Sequence, residues 1–151
     1  MSTKQAVFEL NGEDYGLDIT DVNTVEKDMI IKKMANSPNN VKGKIDLRGN
    51  DIPVYSLRRK FGFEDKKQDK DTRFLITKVK GIDIAFEVDN VKGILDFESS
   101  NIFDVPTVIK CNNTSYIKSI ANVGDGLILL LDNDSLIDDE EKMALQSKNK
   151  K

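Results

Sequence analysis

Histidine and tryptophan are absent from the 151 residues, cysteine occurs once and proline three times. Without histidine there is no His-dependent catalytic triad, no imidazole ligand for zinc and no side chain whose ordinary titration lies near neutral pH. The single cysteine, Cys111, can form no intrachain disulfide and cannot build a thiolate metal site. It reads as a small semi-buried thiol without a role. No apolar run approaches the roughly 18 residues of a membrane span. The stretch "LILLL" at Leu127–Leu131 has the length of a buried strand, and the opening "MSTKQAVFEL" lacks the apolar centre of a secretory signal. A cytoplasmic protein without membrane insertion is the expectation. Net charge is −3, so the basic surface that neutralises phosphates is missing as well, which argues against a nucleic-acid partner.

What is present is 38% apolar and 32% charged residues, enough core for one ordinary domain or two very small ones. The chain is internally repetitive. "GEDYGLDITDV" (Gly12–Val22) resembles "GIDIAFEVDNV" (Gly81–Val91): both run Gly, x, Asp, apolar, small, apolar, acidic, apolar, then two residues and Val. Further on, "VKGKIDLRGNDIPV" (Val41–Val54) lies over "IKSIANVGDGLIL" (Ile117–Leu129) with one gap near Arg48. An all-polar stretch, Glu64–Asp71, stands between the halves and reads as an exposed connection.

Period-2 alternation and short apolar runs predict strands near 4–10, 13–20, 22–31, 41–47 and 52–57, then near 72–80, 82–89, 91–97, 117–123 and 127–132. Five short strands in so few residues leave exposed edges unless the sheet curls into a small barrel. The expected fold is therefore all-β, two small five-stranded β-barrels packed together. The divisions expected are a first barrel at 4–62, a linker at 63–71, a second barrel at 72–133, a short C-terminal helix at 134–146 and a frayed tail at 147–151. Ser56 and Gly62 are cap and stop signals for a short helix in "SLRRKFG", and Ser135 is a cap candidate for the terminal one.

One hairpin holds an unusual residue, Arg48 in "KIDLRGNDIPV". A two-residue turn at Gly49-Asn50 would pair Leu47 with Ile52 and Ile45 with Val54, but would put Pro53 opposite Asp46 where an N–H is needed. A four-residue tip from Arg48 to Asp51 keeps those pairs and spares the proline, and is the favoured reading. Lys44, Asp46 and Arg48 then share the outer face. On spacing alone they form a surface ladder of mixed charge, worth well under about 1 kcal/mol per pair.

These stretches, "YGLDITDV", "ANSPNNVKGKIDLRGNDIPVYSLRRKFG" and "IAFEVDNVKGIL", resemble the CheW-like domain of bacterial chemotaxis coupling proteins, in one register to about Ile137. The resemblance implies two SH3-like barrels over residues 1–146, no catalysis and no cofactor. It implies a scaffold whose partners are the cytoplasmic tip of methyl-accepting chemoreceptors and the regulatory domain of the chemotaxis histidine kinase (CheA-like), assembled in receptor arrays. It ties Val22, Gly43, Leu47 and Arg48 to coupling, and Val91 and Ile94 to a groove between the barrels. Read as residues alone, Val22, Leu47, Val91 and Ile94 also suit plain barrel core, and Gly43 a backbone requirement. Two positions depart from the family pattern. Ser56 replaces an aspartate, which leaves Arg58 without that neighbour, and Thr24 replaces a glutamate able to pair with Arg48; Asp46 or Glu26 are candidates to supply the charge. The departures leave open a divergent interaction module in a non-chemotactic signalling system. An enzyme using paired carboxylates (Asp14, Asp18, Asp83, Glu87) is disfavoured, because those acids fall on alternating, solvent-facing strand positions. A single-strand-binding barrel is disfavoured by the charge and by the lack of an aromatic–basic stripe.

Overall fold

The computed structural model describes residues 2–35, 37–104, 116–124 and 126–149; Cys111 lies outside them. The first two strands, β1 (Ser2–Leu10) and β2 (Glu13–Asp18), form an antiparallel hairpin. Its loop residues Asn11 and Gly12 have φ of 54° and 83°. Positive φ at both loop positions marks a type I′ turn, whose twist matches that of the flanking strands. β6 (Arg73–Val79) and β7 (Ile82–Val88) repeat this hairpin, with Lys80 and Gly81 at 51° and 86°. The sequence repeat thus begins at equivalent turn glycines.

The remaining strands are β3 (Val22–Glu26), β4 (Val41–Leu47), β5 (Asn50–Ser56), β8 (Asn90–Glu98), β9 (Ile102–Asp104), β10 (Ile117–Asn122) and β11 (Leu127–Leu131). Two helices, α1 (Leu57–Lys60) and α2 (Asp139–Asn149), follow β5 and end the described chain. The strands assemble into two sheets, of order β8-β1-β2-β11-β10-β9 and β3-β6-β7-β5-β4. With β9 set aside the orders correspond strand for strand, each with one parallel pair, β2 with β11 and β5 with β7.

The all-β, two-unit fold of the SH3-like type and the C-terminal helix are as expected. The details differ in three ways. The hydrogen-bonded sheets are open, not closed barrels, and the first has a sixth strand, β9. The second sheet is built from residues 22–88, while the first takes residues 2–18 and then 90–131. The sheets therefore cut across the expected division at 63–71. Local periodicity marks strands but says nothing of pairing, and the parallel pair β2/β11 joins strands that no hairpin can bring together. Lastly, α2 starts at Asp139 and its backbone runs to Asn149, past the expected start of the tail.

Strands β1, β5, β6 and β7 bury residues on both faces, which is why they read as near-continuous apolar runs. Phe8, Leu10, Tyr15 and Leu17 of the first sheet meet Tyr55, Leu75, Ile84 and Phe86 of the second in a central layer. The other face of the second sheet covers its own cluster, Ile45, Ile52, Val54, Phe74 and Ile76, closed by Met29 and Ile31 from the segment after β3. Val7, Phe97, Ala121, Ile128 and Leu130 form the corresponding cluster of the first sheet. Each fully buried Phe or Leu contributes about 1.5–3 kcal/mol, so the central layer is the main bond between the two units.

Candidate interaction site

The six residues expected at an interaction site fall into two groups. Val22 and Val91 sit on edge strands, β3 of the second sheet and β8 of the first, opposite Thr77 and Phe8. Both pack, partly exposed, against the central layer. Ile94 lies beyond a bulge in β8, opposite Ala6, and is 60% exposed. Sequence reasoning missed two neighbours, Val25 on β3 and Leu95 on β8, which are 44% and 43% exposed. Their signal was an apolar residue out of phase with the alternation of an edge strand.

Gly43, Leu47 and Arg48 form the second group, on the β4–β5 hairpin at the edge of the sheet opposite β3. Gly43 is buried. A Cβ on it would collide with the carbonyl oxygen of Lys32, whose N–H and C=O both bond Lys44 at 2.8 Å. Gly43 therefore lets the segment after β3 lie against β4, and it offers no side chain to a partner. Leu47 packs on the second sheet's own cluster. Arg48 is exposed.

The hairpin tip is neither turn expected from sequence: it is a two-residue loop one position earlier than Gly49-Asn50, not the favoured four-residue tip, and the expected pairs Leu47–Ile52 and Ile45–Val54 do not form. Arg48 and Gly49 are the loop, with φ of 53° and 88°, and the pairs are Leu47–Asn50, Asp46–Asp51, Ile45–Ile52 and Lys44–Pro53. Counting from a two-residue loop, Lys44–Pro53 is a pair without mutual hydrogen bonds, so the proline loses nothing. Ile45 and Ile52 still share the inner face, and the turn is of the same type as those at Asn11 and Lys80. Asp46 Oδ1 accepts the Gly49 N–H at 2.9 Å, and Lys44 pairs with Asp51 at 3.0 Å. Among the described residues the Arg48 guanidinium has no hydrogen-bond or ion-pair partner. Thr24 offers it none, since its hydroxyl is buried and unpartnered, and neither Asp46 nor Glu26 bonds to it. An arginine in the left-handed region is disfavoured by roughly 1 kcal/mol or more.

The second departure has a different outcome. Ser56 caps α1, its hydroxyl accepting the Arg59 N–H at 3.2 Å. Arg58 is not left without an acid. Its Nε and Nη2 donate to Oδ1 and Oδ2 of Asp89 at 2.7 and 2.6 Å, and its Nη1 to the Glu64 carbonyl at 2.8 Å. Asp89 Oδ2 also accepts the Asn11 N–H at 2.9 Å. Burial opposes the charge on Asp89, but the Arg58 fork and the Asn11 N–H outweigh it and hold the carboxyl below the usual range.

The carboxylates considered for acid–base chemistry are divided between the sheets and individually engaged. Asp14 pairs with Lys92 at 2.9 Å, Asp83 with Lys78 at 3.5 Å and Glu87 with Lys42 at 2.9 Å. Asp18 accepts from the Thr20 hydroxyl and N–H, which lower its pKa. At the other end of the chain, Asp138 and Glu141 form a capping box: Asp138 Oδ1 accepts the Glu141 N–H at 2.7 Å and Glu141 Oε1 accepts the Asp138 N–H at 3.2 Å. Asp138, not Ser135, is thus the cap of α2. Glu141 also receives the buried Tyr55 hydroxyl at 2.8 Å and Asn40 Nδ2 at 3.1 Å. Burial, and then the Glu141 carboxylate, push the Tyr55 pKa up. Among the described residues no three or more His, Cys, Asp or Glu side chains are grouped to hold a metal, and no helix is long and apolar enough to cross a membrane.

Comparison with known proteins gives this arrangement a context. The chain is 33% identical to the scaffolding protein TtCheW from Thermoanaerobacter tengcongensis, whose crystal structure it matches with a TM-score of 0.84 over 93% of this chain and 96% of that one. It is 31% identical to the chemotaxis protein CheW of Helicobacter pylori, over 82% of this chain and 74% of the relative, and 29% identical to that of Klebsiella aerogenes, over 92% and 83%. The family model for the CheW-like domain matches residues 5–141. The chain belongs to the CheW-like domain family.

Proposed function

We propose that this chain is a non-catalytic coupling scaffold that joins the cytoplasmic tip of methyl-accepting chemoreceptors to the regulatory domain of a CheA-like chemotaxis histidine kinase. The match to the CheW-like domain over residues 5–141 carries this reading. Two surfaces support it. The partly exposed apolar residues Val22, Val91 and Ile94 suit an apolar helical tip. Arg48, exposed and unpaired among the described residues, suits a carboxylate on a partner, which its planar fork can hold in two hydrogen bonds. On this reading the protein works in the cytoplasm and reaches membrane arrays only through its partners. Thr24, which leaves Arg48 without a local acid, favours the second reading, a divergent module for other signalling partners.

Titration calorimetry of the purified chain against a receptor-tip fragment and the kinase regulatory domain from the same cell tests the proposal. The wild type is expected to bind both. Arg48→Glu is expected to keep its circular dichroism spectrum and lose binding by tenfold or more, since reversing a charge in a desolvated interface costs about 2–5 kcal/mol. Arg48→Lys recovers part of it. A wild type that binds neither partner sinks the chemotactic reading.

A further inference from the structure

The central layer holds the two sheets together, but hydrophobic contact is non-directional and leaves their relative setting under-determined. Directional contacts join the units at two places: beyond β11, where Asn133 Nδ2 donates to the Lys78 carbonyl at 3.1 Å and Asp134 Oδ1 accepts the Lys80 N–H at 3.3 Å, and at the four-residue helix α1 with its C-cap Phe61. The helix grows from β5 of the second sheet, and the side chains of Arg58 within it and of Phe61 at its C-cap reach toward the first. Arg58 grips Asp89 through both carboxylate oxygens, with only 15% and 12% of the two side chains exposed. Asp89 stands where the chain crosses from β7 to β8, that is, from one sheet to the other. Its backbone N–H donates to the Glu9 carbonyl of β1 at 3.0 Å and its carboxylate takes the Asn11 N–H of the β1–β2 turn. On the other side of α1, the Phe61 ring lies 5.1 Å from that of Tyr15 on β2 and stacks on Tyr116, before β10, at 4.7 Å.

A charged fork and an aromatic stack have narrow angular preferences. Placed on one short helix and its C-cap, they constrain rotation as well as separation. We propose that α1 with its C-cap is a clamp that fixes the setting of one sheet on the other, and that Arg58, Asp89 and Phe61 are positioning residues for the partner surface. Val22 and Val91 lie on edge strands of different sheets, so the spacing between them is the quantity such a clamp controls. None of the three residues need touch a partner for its loss to weaken binding. The link to binding rests on the scaffold reading above; the clamp itself does not.

The test is a distance measurement. Spin labels at Asn23→Cys on β3 and Glu98→Cys on β8, in a Cys111→Ser background, report the spacing of the two sheets by double electron–electron resonance. The parent is expected to show one narrow distance distribution. Arg58→Ala and Phe61→Leu are each expected to broaden or split it, and Arg58→Lys to do so less. Asp89→Ala combined with Arg58→Ala should add little to either alone, because one contact is lost in all three. If Arg58→Ala does not fold, Arg58→Lys and Phe61→Leu carry the test. Unchanged distributions in the folded variants overturn the clamp. In receptor-tip titrations the same variants should bind about tenfold more weakly and still dock the tip at Val22 and Val91. Broadened distributions with unaltered affinity would uphold the clamp as a device that sets the sheets and remove its role in binding. A parent that binds no receptor tip leaves the distance result standing and counts against the scaffold reading alone.

Discussion

At the scale of single residues, the most informative position is one where the fold is disadvantaged. Three two-residue turns share one geometry, and their first residues are Asn11, Arg48 and Lys80. Asparagine suits the left-handed region and the other two do not. Lys80 has a visible compensation, since its Nζ donates to the Ile137 carbonyl at 2.9 Å and pairs with Asp139 at 3.1 Å. Arg48 has none among the described residues. Arg48→Asn is therefore expected to stabilise the protein by about 0.5–1 kcal/mol in urea unfolding while abolishing whatever Arg48 binds; a destabilised variant would show that the arginine serves the fold. Asp89 gives a pH prediction. Its pKa is lower in the folded than in the unfolded state, so its contribution is complete above the unfolded value, about 3.9, and is lost as pH falls through the folded value. Asp89→Asn should flatten the acid limb of stability against pH below about pH 4 and leave its shape near neutrality unchanged. Residue types at both sites were legible in the sequence. The partner of Arg58 was not, because Asp89 lies 31 positions away and only the fold brings it near.

At the scale of elements, ten of the eleven strands follow from alternation and apolar runs, as does the helix between Ser56 and Gly62. The exception, β9, is three residues long, too short for a period to register. The β4–β5 register was misread by two residues on β5 because the sequence rule for loops prefers glycine or asparagine at both positions, and here an arginine takes one of them. The start of α2 was misread because a serine at a plausible position outcompeted the true cap. What distinguishes Asp138 is the acid three residues on, which closes the capping box and also holds the buried Tyr55 hydroxyl. Glu141 thus joins the helix to the second sheet. Glu141→Ala would leave Tyr55 Oη and the Asp138 N–H without their acceptor, at about 2–3 kcal/mol. The expected sign is faster amide exchange throughout α2 together with a lower melting temperature; α2 exchange unchanged from wild type would show that the helix is held by Leu145 and its apolar neighbours alone.

At the scale of the whole molecule, the repeat was legible but not its assembly. With β9 set aside, each sheet joins a hairpin from one repeat to three strands from the other. Neither sheet can keep its central face covered without its counterpart, since Phe8 and Leu17 of one pack in the same layer as Tyr55 and Phe86 of the other. The molecule is expected to unfold as one unit. Amide exchange in β1 and in β7 should lose protection at the same urea concentration, and separate transitions would mean that the sheets are independently stable.

The order of the strands also sets a timetable for synthesis. The second sheet lies wholly within residues 22–88 and can pair as soon as that span has left the ribosome. The β1–β2 hairpin emerges before any of it and must wait for β11, over a hundred residues later, to pair along β2. During that interval the nascent chain carries a finished hairpin with one apolar face and a vacant seam. A neighbouring nascent chain on the same messenger carries the matching parts. Crowded translation would then favour exchange of hairpins between copies, and slow or well-spaced translation the monomer.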